Sequence, residues 1–195
     1  MVIPQALVGL WFYFGGQIRG GVTLKNIRMM VETGMLVGLA MALNMLKLFE
    51  MPQGGSVSLE MIPIFILAIR WGTGTGLIGG LLFGVGQLLL GAKIYYPMQA
   101  LLDYPIAFTL LGLTGLWRKH FYFGITAATL ARGFAHVLSG VIFFAEYTPV
   151  GQNVWIYSLI YNGSYLLPEL VLSVSVMAIL TKQKGFMQEM QPMSQ

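Results

Sequence analysis

Apolar runs long enough to cross a lipid bilayer follow one another along most of the sequence, with short polar breaks between them. A spanning helix needs about 20 mostly apolar residues, within a range of about 17–25. Six candidate segments, of which the second is short, lie between Pro/Gly turns or charged residues, at about 29–49, 58–69, 72–90, 96–117, 121–144 and 154–180. Only 9% of the 195 residues are charged, too few to cover a soluble globule. The sequence therefore predicts an all-α integral membrane protein with six transmembrane helices.

The basic residues predict how these helices are oriented, because lysine and arginine accumulate in cytoplasmic loops. They lie before the first segment and after the second, fourth and sixth segments, whereas the opposite loops hold only Lys93. We therefore expect both termini in the cytoplasm and the loops MPQGGS, GAKIYY and EYTPVGQN outside. The formal net charge of +4 is spread along the chain, so no nucleic-acid partner is expected.

Three regions are predicted along the chain. Residues 1–24 form an N-terminal extension, residues 25–184 form the six-helix membrane domain, and residues 185–195 form a C-terminal tail. The extension contains an apolar stretch at 6–14 that is too short to span and lacks the basic leader of a signal peptide. An interfacial segment and a start codon assigned too far upstream are both open interpretations of it.

An acidic residue lies inside the fourth apolar segment, in the run YYPMQALLDYPIAFTLLGL. This residue is Asp103, about two helical turns from the predicted outer end. A charged side chain at the centre of a membrane helix costs about 2.5–3.5 kcal/mol, so such groups usually serve the bundle interior. Two interpretations are open: a structural ion pair with Arg132, or a contact with a cation or an amine-bearing ring of a ligand. The adjacent Tyr104 favours the second, since a phenol can stack or donate a hydrogen bond.

A second polar group lies in the fifth segment, in ARGFAH. Arg132, His136 and Gly140 are spaced by four residues and share one helical face, which Phe144 continues. An aromatic surface beside polar groups suits a cationic heterocycle through cation–π attraction. The alternatives are a hydrogen-bonded core histidine and a lipid-facing or core-facing phenylalanine.

A third polar group, YSLIYN, begins the sixth segment. Its Tyr157 and Asn162 are five residues apart, yet near a helix start they can converge on the mouth of a pocket, where an asparagine offers both a donor and an acceptor. Glu60, at the outer end of the second segment, either extends to the interface or takes part in the site. Together these groups predict a small hydrophilic pocket that faces outward.

Small residues recur every fourth position in two segments, a spacing that allows close approach between membrane helices. In the third segment, Gly76, Gly80 and Gly84 are expected to pack inside the protein. In the first segment, Gly34 and Gly38 are followed by Ala42, and a partner-facing stripe is nearly as good an interpretation as internal packing.

Several chemistries find no support. The match to G-x-G-x-x-G at 74–79 lies in a predicted membrane span, not between a strand and a helix, so it does not indicate dinucleotide binding. The sequence has no cysteine, no H-E-x-x-H and no G-x-x-x-x-G-K-[ST]. We therefore expect no cofactor, no metal site and no catalytic residues.

The motifs MPQGGSVS, IPIF, RWG, LLDY, AHVLSGVIFF and WIYSLIYN occur in this order. In this respect the sequence resembles the thiamine-specific substrate-binding (S) component of energy-coupling factor (ECF) transporters, from about Glu32 to Lys184. The resemblance implies a six-helix subunit in the plasma membrane of a prokaryote that binds thiamine at high affinity from outside. It also implies a transmembrane T component and two ATPases as partners, which supply the energy for uptake.

The resemblance further implies which residues contact thiamine: Asp103, Tyr104, Arg132, His136, Gly140, Phe144, Tyr157 and Asn162. Phe144 replaces a stacking tryptophan of some relatives. MPQGGSVS lacks the tryptophan that some relatives use in this loop, so the contact there stays open among Ser56, Ser58 and Glu60. Gly34 and Gly38 match the small-residue stripe that contacts the T component.

A rival interpretation from the residues is a stand-alone secondary carrier for a small cationic or heterocyclic solute. Asp103 and His136 would then couple transport to protons. A membrane enzyme is a more distant alternative, because the sequence shows no arrangement of nucleophile and base.

Overall fold

The computed structural model describes residues 24–52 and 54–190, which are mostly helical. The helices are α1 Leu24–Asn44, α2 Met61–Trp71, α3 Thr73–Leu89, α4 Pro97–Leu101, α5 Ala107–Thr109, α6 Phe121–Phe143, α7 Val154–Thr181 and α8 Lys184–Met190. A π-helical turn, Leu102–Ile106, joins α4 to α5, and the 3₁₀ segments Leu110–His120 and Ala145–Tyr147 precede and follow α6. The expectation of an all-α membrane protein fits this architecture.

Three helical stretches in the described ranges are long and apolar enough to cross a membrane: Leu24–Asn44, Pro97–Phe143 and Val154–Thr181. The 47-residue stretch is interrupted at Trp117, whose φ of −116° and ψ of 48° are not helical. This interruption lies at the predicted break between the fourth and fifth segments. α2 and α3 are apolar but shorter, at 11 and 17 residues.

The chain divides into two compact units, residues 1–32 and 33–195. In the first unit the described residues, 24–32, begin α1, and Arg28 Nε donates to Glu32 Oε1 at 2.8 Å. The site described below belongs to the second unit. The limits of the membrane domain, residues 25–184, stay a prediction. The apolar stretch at 6–14 lies outside the described residues.

A short β-hairpin follows α1, where the sequence predicted that the first helix continues to Phe49. Strands β1 (Phe49–Glu50) and β2 (Ser56–Val57) pair antiparallel, with Phe49 opposite Val57. The connection uses φ angles of +110° and +89° at Gly54 and Gly55, a region that favours glycine. The predicted end of the first helix was therefore wrong, and Lys47 lies in the loop beyond α1.

The glycines of α3 lie where helices approach most closely. A Cβ at Gly80 would collide with the carbonyl oxygen of Phe108, and one at Gly84 would lie 2.6 Å from the carbonyl oxygen of Tyr104. At Gly76 it would lie 2.9 Å from the Cα of Gly112. The predicted internal packing of these glycines is confirmed. Gly34 and Gly38 on α1, in contrast, are exposed, with nothing within 4 Å of an added Cβ.

Polarity is reversed relative to a soluble protein. Leu130 and Phe134 of α6 and Val171 of α7 are more than half exposed, whereas Arg132 and Glu169 on the same helices are buried. Lipid tails solvate an apolar outer face, and ionisable groups in membrane helices usually face the bundle interior. The pattern therefore supports a multi-pass membrane protein with a polar interior.

Candidate functional site

A cavity of about 480 Å³ lies among the end of α1, the β-hairpin, the segment 87–108, α6 and α7. Its size falls in the range of ligand pockets, which is about 300–1,000 Å³. The structure brings nine of the ten predicted binding residues into its lining: Glu60, Asp103, Tyr104, Arg132, His136, Gly140, Phe144, Tyr157 and Asn162. Ser58 is not among them. It is fully buried, and its Oγ accepts a hydrogen bond from the backbone N–H of Glu60 at 3.2 Å.

Two donors and an imidazole nitrogen contact the carboxylate of Asp103, which is 17% exposed. Gln99 Nε2 donates to Oδ2 at 2.7 Å, Ser139 Oγ donates to Oδ2 at 2.9 Å, and His136 Nδ1 lies 3.0 Å from Oδ1. The Arg132 guanidinium pairs with Glu60 and Glu169. The first of the two predicted alternatives, a structural ion pair between Asp103 and Arg132, is therefore wrong.

The backbone around Asp103 widens into the π-helical turn because of Pro105. Proline has no N–H to donate, and its ring clashes with the preceding turn of an α-helix. Gln99 lies one helical turn before Asp103, and its Oε1 accepts from the backbone N–H of Tyr95 at 3.1 Å. Since that contact fixes which end of the amide is the acceptor, the Gln99 NH₂ group points to Asp103.

Arg132 lies in the cavity lining with a 4% exposed side chain. Its Nη1 donates to Glu169 Oε2 at 3.1 Å, and its Nη2 donates to Glu60 Oε1 at 3.5 Å. The guanidinium carbon lies 4.2 Å from the ring centroid of Phe108. Glu60 also accepts a hydrogen bond from Asn44 Nδ2. This network connects α6, α7 and the end of α1 through buried charges.

Several aromatic side chains line the cavity, among them Phe144, Tyr157 and Tyr161. Phe144 lies 5.3 Å from Tyr95, and Tyr157 lies 6.2 Å from Tyr161, measured between ring centroids. Tyr161 also donates from its hydroxyl to the carbonyl oxygen of Gly54 at 3.1 Å. The phenol thereby connects α7 to the β-hairpin.

Asn162 lies in the lining, but protein groups already engage its amide. Its Nδ2 donates to the carbonyl oxygen of Ser158 at 2.9 Å, and its Oδ1 accepts from the Tyr165 hydroxyl at 2.7 Å. Gly140 lies opposite on α6, where a Cβ would collide with Ser158 Oγ. The two residues thus define the wall between α6 and α7.

Charged residues at the cavity rim connect two loops. Glu50 on β1 lies 3.0 Å from Lys93 and 3.3 Å from Lys47, measured to each Nζ. The hydrogen bond from Lys93, helped by Lys47, holds the pKa of the Glu50 carboxyl below its ordinary value of 4.5. The Tyr104 hydroxyl accepts from the backbone N–H of Lys93 at 3.1 Å. The loop after α3 is therefore held at Lys93 by two contacts, one to Glu50 on β1 and one to Tyr104.

Sequence reasoning missed several residues of this site. Gln99 lies four residues before Asp103 and Ser139 three after His136, so helical spacing could have found both. Glu169 carries the signal that identified Asp103, an acid within an apolar run, YLLPELVLSV. In residues 24–52 and 54–190, no group of three or more His, Cys, Asp or Glu side chains could hold a metal ion.

Comparison with known proteins identifies the family. A family described as thiamine transporter protein (Thia_YuaJ) matches residues 30–188. The chain belongs to this family. Two relatives named thiamine transporter ThiT are similar to it. The protein from Bacillus subtilis (strain 168) is 35% identical over 175 residues, covering 80% of this chain and 91% of the relative. The protein from Lacticaseibacillus paracasei is 34% identical over 176 residues, covering 80% of this chain and 88% of the relative.

A solved structure of ThiT from Listeria monocytogenes is similar to this fold, with a TM-score of 0.77 and 27% identity. The match covers 85% of this chain and 98% of that one. The resemblance to a thiamine-specific S component is confirmed. The family is one of transporters and not of enzymes.

Proposed function

We propose that this protein binds thiamine at high affinity in the cavity around Asp103 and serves as the substrate-specific subunit of an ECF-type importer. Family membership supports thiamine as the substrate. The observation that carries the proposal is the Asp103 carboxylate, which Gln99, Ser139 and His136 hold at the wall of an aromatic-lined cavity.

The local charge at Asp103 suits a cationic ligand. The Asp103 carboxylate contacts an amide, a hydroxyl and an imidazole, whereas the Arg132 guanidinium pairs with two other acids, Glu60 and Glu169. Thiamine combines a permanently cationic ring with an aminopyrimidine. In a low-dielectric interior, an uncompensated negative charge attracts such a cation more strongly than it would in water.

Five of the predicted contacts have a chemical role in this proposal. Asp103 balances the cation or accepts from the amine, the ring of Phe144 stacks on the ligand, and Tyr157 forms a hydrogen bond to the ring edge. The face of His136 adds a further stacking surface. Asn162 exchanges one of its internal hydrogen bonds for one to the ring edge.

We propose six spans with both termini in the cytoplasm, the plasma membrane of a prokaryote as the location, and residues 25–184 as the membrane domain. The basic Arg118 and Lys119 support this topology. They follow Asp103 by 15 and 16 residues, and 15 residues correspond to about 22 Å at the α-helical rise. The cavity and this basic cluster therefore lie near opposite ends of the fourth segment.

The proposed partners are a T component and two ATPase subunits, since the sequence carries no nucleotide-binding P-loop of its own. Gly34 and Gly38 support a contact through α1, because small exposed residues let a partner helix approach closely.

Reconstitution tests the proposal. Proteoliposomes that contain this protein, a T component and two ATPases should accumulate labelled thiamine when ATP is supplied, and the same vesicles without ATP should not. ATP-independent accumulation by this protein alone would contradict the ECF assignment.

A stand-alone proton-coupled carrier is the second candidate, because His136 Nδ1 lies 3.0 Å from Asp103 Oδ1 and the pair could transfer a proton. This alternative predicts thiamine uptake by the chain alone, driven by a pH gradient. Removal of the gradient with an ionophore is the matching control.

A further inference from the structure

A continuous series of polar contacts leads from Asp103 through His136 and Arg132, which also line the cavity, to Glu169 outside the lining. His136 lies 3.0 Å from Asp103, Arg132 Nε donates to His136 Nε2 at 3.2 Å, and Arg132 Nη1 donates to Glu169 Oε2 at 3.1 Å. Glu169 ends the series. It is fully buried and does not line the cavity, so it has no direct route to a ligand.

The contact between Arg132 and His136 determines where the histidine carries its proton. The guanidinium Nε always bears a hydrogen and can only donate. His136 Nε2 must therefore accept, which leaves the ring proton on Nδ1, facing Asp103 Oδ1. In the opposite tautomer, the N–H of His136 Nε2 would face the N–H of Arg132 Nε. The lone pair of His136 Nδ1 would face the Asp103 carboxylate.

The orientation of Arg132 depends on its acidic partners. Glu169 on α7 makes the shorter contact, 3.1 Å against 3.5 Å for Glu60. The antiparallel register of α6 and α7 places Tyr165 beside His136 and, one turn along, Glu169 beside Arg132. With Nη1 held by Glu169, Nε of the planar guanidinium points along α6 to His136.

We propose that Glu169 is a positioning residue for ligand binding. It fixes the Arg132 guanidinium, which holds His136 in the Nδ1–H tautomer, and this tautomer donates to Asp103 and keeps its carboxylate aimed into the cavity. Both nitrogens of His136 are then engaged, so the ring meets a ligand through its face. The role in binding rests on the proposed function, whereas the tautomer does not.

The tautomer can be measured without any ligand. The chain has two histidines, so His120→Gln leaves a single imidazole, which ¹⁵N NMR of the full-length protein in micelles can observe. The expected spectrum shows a protonated Nδ1 and an unprotonated Nε2. A protonated Nε2 in this otherwise unaltered chain would overturn the proposal.

Two substitutions separate positioning from a merely structural role. Glu169→Leu removes the acceptor, and we expect mixed tautomers and an increase of about tenfold in the Kd for thiamine. Glu169→Gln keeps an acceptor oxygen and should keep the Nδ1–H tautomer with a Kd within about threefold of the parent. Equal losses in both variants would contradict the proposal, as would a Glu169→Leu protein with an unchanged tautomer and unchanged Kd.

Ser173→Ala is the matched control, because Ser173 is also fully buried on α7, one turn beyond Glu169. Both readouts should match the parent. Failure of the unsubstituted chain to bind thiamine would contradict the proposed function, while the ligand-free spectrum would still test the tautomer by itself.

Discussion

Replacement of Asp103 by asparagine should weaken thiamine binding strongly while the fold is kept. The carboxylate accepts from Gln99 and Ser139 and, in the proposed tautomer, from His136. An asparagine amide keeps one acceptor oxygen and turns the other position into a donor, so at least one of these donors loses its partner. The negative charge that would face the cation is lost as well.

The expected increase in the Kd for thiamine follows from the charge that Asp103 loses. A hydrogen bond to a charged group contributes about 1.5–3 kcal/mol, which corresponds to an increase of about 10- to 150-fold in Kd. Isothermal titration calorimetry of the purified protein in detergent measures this change. A thermal unfolding curve of the variant checks that the fold is intact.

Glu146→Gln is the matched control for Asp103→Asn. It makes the same change from carboxylate to amide at an exposed position in the loop after α6, outside the cavity lining. Its Kd should equal that of the unsubstituted protein. A folded Asp103→Asn protein with a Kd within twofold of the unsubstituted value would refute the role given to this carboxylate.

Three further predictions follow from the packing, the exposed stripe and the rim. Gly80→Ala should lower the stability by about 1–3 kcal/mol in a thermal unfolding assay, because its Cβ would collide with a neighbouring backbone, whereas Gly74→Ala has open space and should have no such effect. Gly34→Leu should leave thiamine binding unchanged and reduce co-purification with a T component; full co-purification would argue against α1 as the contact. Because the pKa of Glu50 is lowered in the folded protein, its ion pairs stabilise the rim above its ordinary pKa of 4.5 and are lost as the pH falls through the lowered value. A spin label on Phe49→Cys should therefore become more mobile as the pH is lowered from above 4.5 through the lowered pKa of Glu50, and unchanged mobility would contradict this.

The sequence predicted the helices well where apolar runs end at a strong local signal. The break at Arg118 coincides with the non-helical backbone of Trp117, and α6 and α7 end within one residue of their predicted limits. The end of α1 was missed, because Leu46, Leu48 and Phe49 continue the apolar run. Pairing of β1 with β2 decides that boundary, and apolar periodicity does not reveal it.

The candidate site was predicted where single polar residues stand out in apolar surroundings. Asp103, Arg132 and His136 all line the cavity for this reason. Their pairing was not predictable, because it depends on the register between helices that lie far apart in sequence. Glu169 shows this most clearly: it is 37 residues from Arg132, and only the packing of α7 on α6 brings the two together.

Titration of the purified, ligand-free protein with thiamine tests the central claim most directly. The protein contains four tryptophans, whose fluorescence can report binding. We predict a saturable signal that fits one thiamine per chain, with no response to a neutral vitamin such as riboflavin. No saturable response to thiamine, or an equal response to riboflavin, would contradict the claim that this cavity is a thiamine site.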